Sequence, residues 1–298
     1  MAVMPGIVAQ AADSFRYGAP PTSPGCGRGR IDAVTAPFLK WAGGKRALLP
    51  VLTPLMPAAY GDYYEPFVGG GALFFALAPA RAFLNDANEE LVNCYAVVRD
   101  RVDELLRALA EHVNTAEHYQ EVRAQRPDDL DDVARAARLI YLNRTCFNGL
   151  YRVNRRGEFN TPYGRYRNPT LVPEQVLRAA SAALQGARLI ATGYAEACTT
   201  AGAGDLVYLD PPYVPAGGYA DFRRYHREQF REDDHEQLAR LFKELDARGC
   251  HVRLSNAHTP LVLDLYADWT IHEVASRRAI NSNGAGRGPV REVLVAND

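Results

Sequence analysis

Short apolar runs that stop at polar or glycine-rich stretches punctuate both ends of this chain. Asp62–Phe67 reads as a strand, followed by the loop Gly69-Gly70-Gly71 and an apolar helix start over Ala72–Ala78. A second strand, Arg81–Leu84, ends at Asn85-Asp86. Strand-like runs resume at Ala187–Ala191, Asp205–Leu209, Cys250–Ser255 and Arg291–Ala296. Their apolar, β-branched character predicts strands of the buried α/β type. A strand, glycine loop, helix and strand in that order predict the opening unit of a nucleotide-type fold. The glycine-rich turn Asn283–Gly286 before the last strand predicts a terminal hairpin. The stretch between, about 92–175, reads as a helical insertion.

Charge divides that insertion in two. Residues 97–134 hold 10 Asp/Glu against 5 Arg, and residues 138–178 hold 8 Arg against 2 Glu. A run of arginines suits a phosphate backbone, because each contact releases counterions. The same run contains Asn143, Asn148, Asn154, Phe147, Tyr151, Tyr163 and Tyr166. Arg and Asn read base edges and aromatics stack on bases, so the combination points to nucleic acid rather than to a merely solvated helix face.

The whole chain, at 298 residues and net charge −1, has no histone-like basicity. Five cysteines without a CxxC pair predict reduced thiols and a cytoplasmic protein. No stretch approaches the length of a membrane span. Residues 1–34 are rich in Ala, Gly and Pro and lack a basic start before an apolar run, which predicts a flexible tail and not a signal peptide. The seven histidines show no metal-ligand spacing, so no metal is expected.

Asp210-Pro211-Pro212-Tyr213 lies where the strand Asp205–Leu209 ends, the usual place for a site in an open α/β sheet. Two prolines stiffen the turn and remove two N–H donors. A carboxylate, proline carbonyls and an aromatic face remain, which suit an exocyclic amine on a flat base. Upstream, Glu65-Pro66-Phe67-Val68-Gly69-Gly70-Gly71 is a strand end feeding a glycine turn where a ligand can approach the backbone. Phe74 stands where a GxGxxG fingerprint needs glycine, and Asp86, 17 residues after Gly69, is placed to accept from ribose hydroxyls. This pattern fits S-adenosylmethionine as well as NAD. Phe38–Arg46 puts Trp41 beside Lys40, Lys45 and two glycines, without Walker spacing.

Together FLKWAGGK (38–45), EPFVGGG (65–71), Asn85-Asp86, the block 143–166, DPPY (210–213) and SNG (282–284) resemble the Dam-type (D12 class, α group) DNA adenine-N6 methyltransferases. The resemblance runs from about Pro37 to Asn297 and includes the order of the motifs. It implies a Rossmann-like S-adenosylmethionine-dependent methyltransferase fold. The catalytic domain would comprise 35–91 and 176–298, with 92–175 as a target-recognition insertion. By the same resemblance Trp41, Lys45, Glu65, Phe67, Gly69, Gly71, Asp86, Tyr194 and Asp210 would contact the cofactor. Asp210, Pro211, Pro212 and Tyr213 would hold the target adenine. Lys40, Arg144, Phe147, Asn148, Leu150, Arg152, Arg165 and Tyr166 would contact DNA, with Phe147 as a wedge. Two departures from the pattern bear on specificity: Cys146-Phe147 replaces a Gly-Tyr pair, and Glu196 replaces Asp. The implied activity is methylation of adenine N6 in duplex DNA by base flipping, at GATC. It implies a monomer without an obligate protein partner, acting in the cytoplasm of a bacterium or in a phage-infected cell. The same motifs leave open an N4-cytosine or RNA amino-methyltransferase, and a non-catalytic DNA-binding regulator.

Overall fold

The computed structural model describes residues 36–214, 230–277 and 289–298. The tail at 1–34, the turn at 283–286 and SNG (282–284) lie outside the described residues. Seven strands form one sheet: β1 Tyr63–Glu65, β2 Ala82–Asn85, β3 Ala187–Ile190, β4 Leu206–Leu209, β5 His251–Ala257, β6 Thr270–Arg277 and β7 Pro289–Ala296. Their spatial order is β3-β2-β1-β4-β5-β7-β6. The pairings from β3 across to β5 are parallel, and β7 is antiparallel to both β5 and β6. The order reverses between β1 and β4, which opens a crevice at their carboxyl ends. The Rossmann-like α/β expectation and the terminal hairpin, β6 with β7, both hold.

β6 was absent from the expected strands, for a physical reason. Thr-Ile-His-Glu-Val-Ala-Ser-Arg carries polar residues through an edge strand, where only one neighbour and part of one face demand apolar side chains. β4, by contrast, is buried at all four positions and reads as Leu-Val-Tyr-Leu.

The helices are α1 Leu49–Leu52, α2 Ala72–Leu77, α3 Glu89–Asp100, α4 Val102–Ala110, α5 Ala116–Ala124, α6 Asp132–Thr145, α7 Glu174–Leu184, α8 Tyr194–Ala197, α9 Glu232–Ala247 and α10 Pro260–Leu265. One core lies against β1–β3 and includes Tyr63, Leu84, Leu91, Val98, Leu105, Ile140 and Leu177. A second lies on the other face under α9 and includes Val207, Leu209, Leu238, Phe242, Val252 and Leu254. Side-chain caps begin α3 and α6. Asn88 Oδ1 accepts from Glu90 N–H at 3.1 Å, and Asp131 Oδ1 from Ala134 N–H at 2.9 Å. α6 is buried along most of its length and packs on α3 and α4.

Helical structure in the insertion ends at Thr145, earlier than its composition suggested. Apart from a single turn at Phe147–Gly149, the chain is irregular until α7, with isolated antiparallel bridges Cys146↔Tyr163 and Val153↔Phe159. Cys146 ends the helix by turning to extended backbone (φ −78°, ψ 162°), and Asn148 (φ 57°) and Gly149 (φ 64°) take left-handed backbone just beyond it. His235, buried at 4% exposure in the first turn of α9, packs on Phe230. It belongs to that helix start.

Candidate active site

The carboxyl ends of β1, β2 and β4 converge on one cluster. β1 ends at Glu65, whose Oε2 accepts a 2.8 Å hydrogen bond from the Tyr63 hydroxyl. Glu65 is only 3% exposed. Burial pushes its carboxyl up to about 8, with the nearby Asp210 adding and Tyr63 and Lys45 opposing.

The glycine loop follows. Gly69 has φ 47°, and a Cβ there would meet Trp41 at 2.8 Å, so both conformation and contact require glycine. Trp41 lies along Gly69 and Gly70 and stacks on Tyr151 at 5.2 Å. The loop is pinned from several directions. Gly69 N–H donates to Asp86 Oδ2 at 3.1 Å, and Tyr95 donates to Gly69 C=O at 3.1 Å. Asp86 Oδ1 accepts from Asn88 N–H at 2.9 Å. A carboxylate has about four acceptor positions, so Asp86 can serve the loop and a diol together. Asn85 stitches neighbouring strand ends, donating to Pro66 C=O and Thr192 C=O and accepting from Thr192 N–H. Phe67 stacks on Tyr194 at 5.2 Å, with Phe230 edge-on to Phe67 at 6.1 Å.

At the end of β4, Asp210 is 17% exposed, and its Oδ1 is buried. Lys45 Nζ, 6% exposed, stands 2.8 Å from that oxygen, close enough for an ion pair but too oblique for a well-formed hydrogen bond. The same ammonium donates to Gly43 C=O at 2.6 Å and lies 4.6 Å from the centre of the Tyr213 ring. Burial raises the Asp210 carboxyl, Lys45 pulls it back, and Glu292 raises it further. Tyr213 Oη donates to Glu292 Oε2 at 2.9 Å, and burial holds that hydroxyl well above its usual range. Val214 N–H donates to Asn256 Oδ1 at 3.2 Å.

Among the described residues, Glu65 and Glu292 both lie within electrostatic reach of Asp210, which Lys45 faces, so the site is rich in carboxyl groups. A further positive centre would be favourably placed there. A carboxylate at the end of β2, an open glycine loop and a flat aromatic pair complete a donor set that fits S-adenosylmethionine: a ribose, a close-approaching chain, an adenine and a sulfonium.

The residues singled out for DNA form a second group around the end of α6. Asn143 joins it to the Lys40–Lys45 loop. Its Nδ2 donates to Lys40 C=O (2.7 Å) and Gly149 C=O (2.9 Å), and its Oδ1 accepts from Lys40 N–H (2.9 Å). Gly149 must be glycine, since a Cβ would meet Lys40 Cδ at 2.5 Å. Lys40 Nζ lies 5.3 Å from the Tyr166 ring, and the Tyr166 hydroxyl accepts from Asn148 N–H at 2.9 Å. Phe147 is 53% exposed, the one phenylalanine exposed among the described residues. Leu150 is half-buried beneath it in sequence, its carbonyl accepting from the Thr161 hydroxyl at 2.7 Å.

The arginine run is less available than its charge suggests. Arg138 is buried and donates to Val122 C=O and Arg123 C=O at the end of α5. Arg144 donates to Thr170 C=O and Phe38 C=O, and burial lowers its pKa. Arg152 folds onto Asn160, and Arg178 pairs with Asp103 and Glu174. Arg155, Arg156, Arg165 and Arg167 are exposed. A cleft of about 310 Å³ lies between Lys40, Arg144, Tyr166, Arg167 and Thr170. Glu292 and Asn256 were not among the expected site residues. Their partners Tyr213 and Val214 lie far away in sequence, and no local motif announces them.

The chain is similar to known proteins over most of its length. The model of the D12 class N6 adenine-specific DNA methyltransferase family matches residues 41–280. A Type II methyltransferase of Lactococcus lactis subsp. cremoris is 42% identical over 269 residues, covering 88% of this chain and 95% of the relative. A Type II methyltransferase of Methanocaldococcus jannaschii is 37% identical over 284 residues, covering 88% and 98%. The DNA adenine methylase of Escherichia coli K12 is 38% identical over 263 residues, covering 87% and 94%.

Proposed function

The chain belongs to the D12 class N6 adenine-specific DNA methyltransferase family, and from that premise we propose that Asp210–Tyr213 holds an adenine amino group flipped out of duplex GATC, with S-adenosylmethionine as donor. One observation carries the assignment of the pocket. The Lys45 ammonium already sits against the Asp210 carboxylate and over the Tyr213 ring. An N–H acceptor and an aromatic face thus lie side by side around one nitrogen, which supports reading the motif as a pocket for an amino group on a flat ring.

The N6 lone pair of adenine is delocalised into the ring and nucleophilically weak. Asp210 accepts one N6–H and the Pro211 carbonyl the other, which draws electron density back onto nitrogen. Tyr213 stacks on the base and fixes its plane. Bound S-adenosylmethionine supplies an electrophilic methyl group on a positively charged sulfur. Glu65 and Asp86 shape its seat, and the Phe67–Tyr194 pair receives its flat ring. The reaction then depends on positioning more than on a strong base, and the N6 proton leaves once the amine is methylated. No described helix is long and apolar enough to cross a membrane.

Phe147 fills the gap left by the extruded base, and its exposure supports that role. Phe147→Ala should lose about 1–3 kcal/mol of support for the flipped state. It should be read as weaker 2-aminopurine fluorescence at the target position. Undiminished fluorescence would remove the wedge. Site choice is tested with labelled methyl transfer to duplexes containing GATC and to single-base variants of it. Equal labelling of every adenine-containing duplex would overturn the GATC assignment.

A further inference from the structure

We propose that Glu292 is a positioning residue that holds the Tyr213 ring in place for stacking on the target base, through the hydrogen bond it accepts from the tyrosine hydroxyl. The inference rests on the proposed role of Tyr213 in the adenine pocket. Two prolines fix the backbone before Tyr213, but its ring can still turn about its side-chain bonds. A tether at the ring's far end stops it swinging about the first of those bonds, and the 2.9 Å bond to Glu292 Oε2 is such a tether.

The anchor itself is rigid. Glu292 lies in β7, paired with Ala257 of β5 on one side and Val274 of β6 on the other. β5 supplies a second hold one residue later, since Asn256 Oδ1 accepts Val214 N–H at 3.2 Å as well as Ala257 N–H at 2.8 Å. Two neighbouring strands thus grip the motif's exit, one by the tyrosine side chain and one by the following backbone amide. The choice of a carboxylate also argues for a role beyond filling space. Burial raises the Asp210 carboxyl and the neighbouring Glu292 raises it further, so Glu292 is an unfavourable neighbour for Asp210. The hydrogen bond that Glu292 accepts from Tyr213 offsets part of that cost.

The test is a double-mutant cycle on the full chain, with kcat and KM for duplex DNA and the dissociation constant for S-adenosylmethionine measured separately. Tyr213→Phe and Glu292→Ala should each lower kcat roughly tenfold. The double variant should fall no further than the worse single variant. Cofactor affinity should not move, and Glu292→Gln, which keeps an acceptor, should recover most of the loss. Losses that multiply in the double variant would overturn the proposal. So would a Tyr213→Phe enzyme that turns over like the parent, a readout that survives even if Glu292→Ala does not fold. If Asp210→Ala remained active, the pocket assignment itself would fail. An inactive Asp210→Ala with a multiplicative cycle would sink only the role of Glu292.

Discussion

Asp210→Ala should lower methyl transfer by at least about 10²-fold, the scale on which positioned acid–base groups act. Binding of DNA and of cofactor should persist within a few-fold. The expectation follows from what the carboxylate touches. Asp210 faces the Lys45 ammonium, and its carboxyl lies near the Tyr213 side chain. Removing it deletes the acceptor that draws electron density onto the target nitrogen, and it leaves the glycine loop held by Asp86, Asn85 and Tyr95. Asp210→Asn separates two contributions. The amide can still accept one N–H from the base but carries no charge, so activity between that of Ala and the parent would assign the remainder to ionisation. The measurement is single-turnover methylation of a duplex, with binding followed independently. Near-parental turnover by Asp210→Ala would end the assignment of this motif as the amine pocket.

Much of the scaffold was legible because parallel strands are covered on both faces. Leu206–Leu209 is buried throughout and announces itself as an unbroken apolar run. Thr270–Arg277 lies at the sheet edge and had no such signature. The glycine loop was legible for a different reason: left-handed backbone and close contact with Trp41 restrict Gly69 to glycine, so the geometry leaves its mark in the sequence. The arginine-rich segment was legible in its charge but not in its partners. Arg138 and Arg144 both give their hydrogen bonds to carbonyls, and a carbonyl has no residue identity to read. Glu292 escaped because it lies 79 residues beyond the tyrosine it holds. Strand order in space, not spacing in sequence, brings the two together.

Lys45→Met should move the acid limb of the pH–rate profile to higher pH, with the loss of turnover largest in acid and shrinking as pH rises. The sign follows from the forces on Asp210. Burial raises its pKa and Lys45 lowers it, so deleting the ammonium raises it further. Only the ionised carboxylate is the strong acceptor the amine needs. Below the new pKa, each unit of pH costs about tenfold in the active fraction. Glu65 cannot substitute, because burial pushes its carboxyl up to about 8 even with Lys45 opposing, and losing Lys45 raises it further. Without Lys45 both groups favour the protonated form, in keeping with the rule that a buried charge neutralises when its partner is lost. Methionine has nearly the length of lysine and keeps the contact with the Tyr213 face, which isolates charge from packing. It also gives up the hydrogen bond to Gly43 C=O, so cofactor affinity must be measured beside the rate. A uniform drop at every pH would show that Lys45 works by holding the Gly43 loop. A drop that disappears in alkali would show that it works by keeping Asp210 charged.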